Sequence, residues 1–156
     1  MKKDFVMLKK YFMIGLSVVA ILNAQDAPKG VEGLSGETRA LLAEEMGHIE
    51  AGMKEVFSHM VKGEYDEVAK IAGDIQESFI FKKKLNDAQR AELKANLSKE
   101  FIALDRSFHE TAGKMAEAAE FSDKEGIVSA YYEMSKKCVA CHSQFATHRF
   151  TAFEAE

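Results

Sequence analysis

The sequence contains a single proline, Pro28, no tryptophan and only two cysteines among its 156 residues. β-Sandwiches and barrels need many short strands separated by Gly- and Pro-rich turns, so this composition argues against an all-β fold. Two cysteines cannot build a disulfide-rich scaffold. The formal net charge of −4 provides no basic surface for nucleic acid. The 47% of hydrophobic residues is sufficient for a packed core, and the length predicts one domain.

Residues 1–24 have the pattern of a signal peptide. A basic start with four lysines is followed by the uncharged run YFMIGLSVVAIL, and small Ala24 precedes polar Gln25. The run spans about 18 Å as a helix, which is short for a membrane core of about 30 Å, so cleavage is favoured over a retained anchor. The pattern predicts export to the periplasm and no stable membrane span. Cleavage would change the formal net charge from −4 to −7.

After residue 24, apolar residues recur at intervals of three and four, the period of an amphipathic helix. Gly63 is expected to end the first helix, and Asn86 or Asp87 to cap the third. Short loops between such helices predict an all-α, antiparallel up-down-up-down four-helix bundle. The last helix would then end beside the N-terminal half of the first. The predicted segments are a flexible lead-in over 25–36, a bundle domain over 37–150 with helices over about 37–61, 65–81, 88–119 and 124–145, and a C-terminal tail over 151–156.

Residues Cys138-Val139-Ala140-Cys141-His142 form a C-x-x-C-H motif, the attachment signature of c-type haem. Two thiols can add to the two vinyl groups of one porphyrin, and the adjacent histidine is then placed beneath the iron as proximal ligand. A thioredoxin-like pair belongs at a strand-to-helix turn, and no strand pattern precedes Cys138. A zinc site needs four ligands, and only three are local. The motif favours one covalent haem c, with a structural disulfide in a helical protein without cofactor as a further possibility.

A signal peptide, a helical chain of 132 residues after it and a single C-V-A-C-H near the C-terminus together resemble the cytochrome c′ family. The resemblance implies a four-helix bundle with covalent haem near one end. High-spin members leave the far side of the iron open under an apolar cap, whereas low-spin relatives supply a methionine from the first helix. In those relatives it lies about two turns before a second methionine, ahead of a Lys-Gly-Glu-like helix end. Met46, Met53 and residues 62–64 match that pattern, so the resemblance implies Met46 as the sixth ligand.

The geometry of a helix independently places Met46 near the haem. At a rise of 1.5 Å per residue, His142 lies about 5–10 Å from the end of the bundle and Met46 about 14 Å from the same end, whereas Met53 would lie about 10 Å deeper. Without the haem motif, Met46 would be read as an ordinary core residue. His48 would be a rival ligand only if the helix were rotated. Arg39 lies two turns before Met46 and is a candidate for a haem propionate contact, with a solvated arginine as the alternative.

One position departs from the family pattern. The family usually has an aromatic residue followed by an arginine soon after the haem histidine. Here Phe145 holds the aromatic position, but Ala146 stands where the arginine would be. Arg149 is a candidate replacement. The departure concerns the propionate contacts and not the haem itself.

Among the remaining polar side chains, Glu45, Glu55 and His59 are expected to lie off the apolar seam of the first helix. His59 and His109 are expected to be solvated or locally hydrogen-bonded. No set of side chains forms a convincing catalytic acid and base, so an enzyme is not predicted.

The function that these features favour is electron transfer by a haem with histidine and methionine ligands. Such a haem changes charge by one with little rearrangement, and thioether ligation raises its potential. Redox partner proteins would meet it through small, weak interfaces. The alternative is a high-spin protein similar to cytochrome c′ that binds or buffers nitric oxide or another diatomic gas. The resemblance also makes a homodimer through the first two helices plausible.

Overall fold

The computed structural model describes residues 30–78 and 85–154. The predicted signal peptide and its cleavage site lie outside the described residues. Five α-helices follow one another, framed by two short 3-10 turns, and no strand occurs within the two described ranges. The helices are α1 (Gly36–Lys62), α2 (Tyr65–Glu77), α3 (Asp87–Asn96), α4 (Lys99–Glu120) and α5 (Lys124–Phe145), and the turns are Val31–Gly33 and Thr151–Phe153.

The predicted helix boundaries agree with the caps at most ends. Gly63 follows α1 in the left-handed conformation, with φ of 76°, which a residue without a Cβ adopts readily. Asn86 begins α3 through a capping box, in which its side chain and that of Gln89 each accept a hydrogen bond from the other residue's backbone N–H. Asp123 caps α5 by accepting from the Gly126 N–H. The predicted end of the second helix at Phe81 lies outside the described residues.

The prediction of one continuous helix over 88–119 was wrong. The chain leaves the helical conformation at Leu97 and Ser98, and the Ser98 hydroxyl accepts from the Phe101 N–H to begin α4. A serine side chain bonds readily to a nearby backbone N–H, which favours a cap over a helix interior. The bundle is therefore formed by α1, α2, α4 and α5, with the short α3 as an additional element beside α1.

The core consists of two hydrophobic clusters. The first runs between the four bundle helices; its buried members are Ile49, Met53, Val56, Val68, Ala72, Ile75, Phe108, Ala112, Met115, Ala119, Ile127, Ala130 and Met134. The second lies where α3 and the start of α1 meet the start of α4; its buried members are Leu34, Leu42, Leu85, Leu93, Leu97 and Phe101. The all-α bundle that the sequence predicts is thus confirmed.

The helices are not equally close to one another. The backbone of α2 packs closely against α4, α4 against α5, and α1 against α2. In an antiparallel bundle this order leaves α1 beside α5, and these two backbones approach each other less closely than the other three pairs do. Side chains fill this side, as in the contact between the Phe57 and Tyr131 rings, whose centroids are 6.1 Å apart. Cys138, Cys141 and His142 therefore lie on a helix whose backbone is more widely spaced from α1 than the neighbouring helix pairs are from each other.

Candidate functional site

The three residues of the C-x-x-C-H motif lie on the last two turns of α5. Cys138, Cys141 and His142 are separated by three and four positions, so their side chains project from the same side of the helix. All three are partly buried. The helix remains regular up to Phe145, and the Ala146 N–H bonds to the His142 carbonyl at 3.1 Å. A regular helix therefore presents the two thiols and the imidazole together.

The two thiols contact different parts of the core. Cys138 packs against the first cluster and Cys141 against the second, and both are free thiols. Burial raises the pKa of both thiols, and that of Cys141 reaches about 12 because the charges of Asp105 and Cys138 add to the effect of burial. A catalytic redox cysteine needs the opposite, a lowered pKa. The raised pKa values therefore do not favour a reactive thiolate of the thioredoxin type.

The imidazole of His142 stacks on the ring of Phe150, with centroids 4.4 Å apart and planes inclined by 14°. Burial lowers its pKa, and the positive charge of Arg149 lowers it further. A neutral imidazole is the form that ligates a metal. Arg149, the candidate replacement for the missing family arginine, is therefore close enough to His142 to affect it electrostatically.

Met46 lies on α1 at the junction of the two clusters. Among the described residues packed against the clusters, its partly buried side chain is the one that contacts both. Cys138 and Cys141 contact the same two clusters from α5. Met53, two turns further along α1, belongs to the interior of the first cluster. Met46 and the two cysteines thus pack against the same two clusters, whereas Met53 is a buried member of the first cluster alone.

Arg39 lies on the exposed surface of α1, and its Nη2 donates to the Leu34 carbonyl at 2.8 Å. A contact with a haem propionate remains a prediction for this residue. Phe145 packs edge-on against Phe101, with ring centroids 5.3 Å apart. His48 is exposed, and His59 Nδ1 lies 2.6 Å from a carboxylate oxygen of Glu64, the local hydrogen bond that was expected.

Three ionisable residues near the site were misplaced or missed by the sequence analysis. Glu45, expected off the apolar seam, is fully buried, and His109 and Asp105 are 3% and 7% exposed. The spacing contained the signal. Glu45 follows Leu42 by three positions and precedes Ile49 by four, so it occupies a seam position, but its charge led to its exclusion from a seam defined by apolar residues.

His109 lies at the centre of this group. Its Nδ1 is 2.7 Å from the Ile75 carbonyl, and its Nε2 is 3.3 Å from Glu45 Oε1 and 3.7 Å from Asp105 Oδ1. Burial by itself would lower the pKa of His109, but the interactions with Asp105, Glu45 and the Ile75 carbonyl outweigh burial and raise it to about 9. At neutral pH the imidazole therefore carries a positive charge among carboxylates.

Comparison with known families identifies the chain. The model of the Cytochrome C' family matches residues 38–146, which is most of the sequence and includes Arg39, Met46, Cys138, Cys141 and His142. The protein belongs to the cytochrome c′ family. No curated protein and no solved structure matches it. Membership makes the protein a c-type cytochrome, a helical bundle that binds covalent haem c.

The residues present fit that cofactor. Two free thiols lie one helical turn apart, each packed against one of the two apolar clusters, and the partly buried imidazole of His142 follows directly. Cys138 and Cys141 would hold the porphyrin through thioether bonds, and His142 would bind the iron. In the part of the chain that the structure describes, no helix has the length and apolarity to cross a membrane.

Proposed function

We propose that this cytochrome is an exported monohaem protein that carries single electrons, with His142 and Met46 as the two axial ligands of the iron. The position of Met46 carries the proposal, because its side chain contacts both clusters that the two cysteines contact from the facing helix. A methionine buried in one cluster alone, such as Met53, has no such relation to the motif. The proposal includes one haem because the sequence holds two cysteines, both in one motif.

The chain's own residues favour electron transfer in two ways. The haem, when bound, supplies one-electron chemistry at the iron. A thioether ligand and burial among apolar side chains favour the less charged reduced state. A second axial ligand from α1 would occupy the sixth coordination position of the iron. The set of ligands would then change little when the iron gains or loses an electron. These features suit a carrier and require no catalytic acid or base.

Export and partner choice rest on the sequence. Covalent haem is attached outside the cytoplasm in bacteria, which agrees with the signal-peptide pattern of residues 1–24. The acidic mature chain would attract a partner with a basic surface, and this attraction would weaken at high salt. We therefore expect redox proteins as partners, and we expect electron transfer to slow as ionic strength increases. A homodimer stays a prediction that size measurement of the exported protein would test.

Visible spectra of the exported protein test the axial ligands. Sharp α and β bands after dithionite reduction, with a weak oxidised absorption at about 695 nm, are expected for sulfur ligation of a low-spin iron. Met46→Ala should abolish the absorption at about 695 nm. Met53→Ala is the matched control on the same helix and should retain it, since Met53 lies within the first cluster.

Two results would contradict the proposal. A broad, high-spin spectrum of the unmodified protein would remove Met46 as a ligand and would favour binding of nitric oxide or another diatomic gas. Equal loss of the methionine band in Met46→Ala and Met53→Ala would show a general disturbance of α1.

Cys138→Ser and Cys141→Ser should each weaken covalent haem retention on a denaturing gel.

A further inference from the structure

His109 connects three helices in the core. It belongs to α4, its Nδ1 lies 2.7 Å from the carbonyl of Ile75 on α2, and its Nε2 lies 3.3 Å from a carboxylate oxygen of Glu45 on α1. Since a backbone carbonyl can only accept, Nδ1 is the donor in the bond to Ile75, which fixes the orientation of the ring. The opposite nitrogen is thereby directed at α1.

This connection restricts the rotation of α1 about its axis. Glu45 is fully buried, and a buried carboxylate separated from its cationic partner is strongly unfavourable. Any rotation or sliding of α1 that moved Glu45 away from His109 would create that situation. An apolar side chain at the same position would impose no such restriction, because contacts between apolar groups have little directional preference.

The residue that follows Glu45 is Met46. Successive side chains on an α-helix diverge by about 100°, so a fixed direction for one determines the direction of the next. With Glu45 held toward His109 on α4, Met46 lies against both clusters, the first of which Cys138 contacts and the second of which Cys141 contacts. The contact between Glu45 and His109 and the direction of the Met46 side chain are thus set within the same turn of α1.

We propose that His109 and Glu45 are positioning residues that hold α1 in the rotation that presents Met46 to the haem iron. The inference rests on the proposed ligation by Met46. It goes beyond that ligation because it assigns a role to a buried ion pair that the cofactor's attachment does not require. Asp105 does not share this role: it lies four residues before His109 on the same helix, so its contact joins α4 to itself.

The test separates positioning from stability. In the double variant Glu45→Leu with His109→Leu, apolar groups replace the pair that links α1 to α4. Buried Asp105 then loses its cationic neighbour, so some stability is lost as well, and the position of Met46 is read from the spectrum of the folded fraction. We expect this variant to fold with haem attached and to lose most of the absorption at about 695 nm. We also expect carbon monoxide to bind its reduced form at least about tenfold faster, since a less well placed methionine is displaced more easily.

Two further variants act as controls. Glu45→Gln keeps the shape and an acceptor oxygen for His109 but removes the charge of the pair, so its band intensity and carbon monoxide rate should lie between those of the parent and those of the double variant. Asp105→Asn removes the other carboxylate but leaves the link between α1 and α4 in place, so it should change both much less than the double variant does. If the double variant is not recovered with haem, Glu45→Ala replaces it, because His109 then keeps Asp105 and the Ile75 carbonyl as partners.

Three outcomes would overturn the inference. One is a folded double variant with the band and the carbon monoxide rate of the parent. The second is an equal acceleration in Asp105→Asn, which would attribute the effect to lost charge and not to the link between α1 and α4. The third applies if Glu45→Ala replaces the double variant: it is a band intensity and a carbon monoxide rate of Glu45→Ala that equal those of the parent. Failure of the proposed ligation is recognised separately, since the parent itself would then lack the band and Met46→Ala would not change the carbon monoxide rate.

Discussion

The buried charge on His109 makes the stability of the protein dependent on pH. The pKa of His109 is raised to about 9 in the folded protein, from an ordinary value of 6.5. Below about pH 6.5 the imidazole is protonated in both the folded and the unfolded chain, so its stabilising contribution is fully present. The contribution decreases as the pH rises through the interval and is lost above about pH 9, where the folded protein also releases the proton.

The size of the effect follows from the difference between the two pKa values. One pKa unit corresponds to about 1.4 kcal/mol, so the contribution is of the order of 3 kcal/mol between about pH 6.5 and pH 9. This contribution is a large part of the free energy of unfolding of a typical domain, which is about 5–15 kcal/mol. Single residues usually contribute less. Stability that is highest in mildly acidic solution is therefore expected.

Guanidinium unfolding of the oxidised holoprotein at about pH 6 and pH 9.5 measures this contribution when the parent is compared with His109→Gln. Glutamine retains a donor for the Ile75 carbonyl but cannot be charged. The parent should exceed the variant by about 3 kcal/mol more at the lower pH than at the higher one. A difference that is equal at both pH values would refute the assignment of a charged His109. His59→Gln, which alters a surface pair, should change stability by less than about 1 kcal/mol at either pH.

Three other predictions concern the framework of the site. Ser98→Ala removes the cap of α4 and should lower the free energy of unfolding by about 1 kcal/mol in chemical denaturation. Met115→Ala opens a cavity at a position with no exposed surface and should cost about 2–5 kcal/mol, whereas exposed Val128→Ala should stay within about 0.5 kcal/mol. The Glu92 carboxylate accepts from the Thr38 hydroxyl and from Ser35, which lowers its pKa, so it stabilises the fold above pH 4.5 and less as the pH falls further. Glu92→Gln should reduce stability at pH 7 and flatten this acid dependence in thermal melts; an unchanged acid dependence would contradict it.

Part of the fold was predictable because local chemistry decided it. Gly63 ends α1 since the left-handed conformation suits a residue without a side chain, and Asn86 begins α3 through a capping box that the sequence displays. The break at Ser98 was not predicted because Leu93, Leu97 and Phe101 are spaced by four and are all buried in the second cluster. Apolar spacing therefore continues through the break, and the serine is the remaining local signal.

The candidate site, like the fold, has features that the sequence predicts and features that it does not. The motif predicts Cys138, Cys141 and His142 as the haem site because covalent attachment demands that residue order. Apolar periodicity failed at Glu45, because the charge of this residue led to its exclusion from the buried seam. A buried carboxylate depends on a partner distant in sequence, here His109, sixty-four positions further along the chain. Such a pairing follows from tertiary packing, and a single sequence offers no rule that connects the two residues.

The end of the bundle that carries the site depends on α3 more than the length of α3 would indicate. An isolated helix of ten residues is marginal in water, so α3 needs its capping box, buried Leu93 and the bonds from Glu92 to the first turn of α1. These same contacts close the second cluster, against which Cys141 and Met46 pack. Weakening α3 would therefore loosen the packing of Cys141 and Met46 even with the ion pair of Glu45 and His109 intact. Two separate devices, one polar surface contact and one buried charged pair, thus act on the helix that carries Met46.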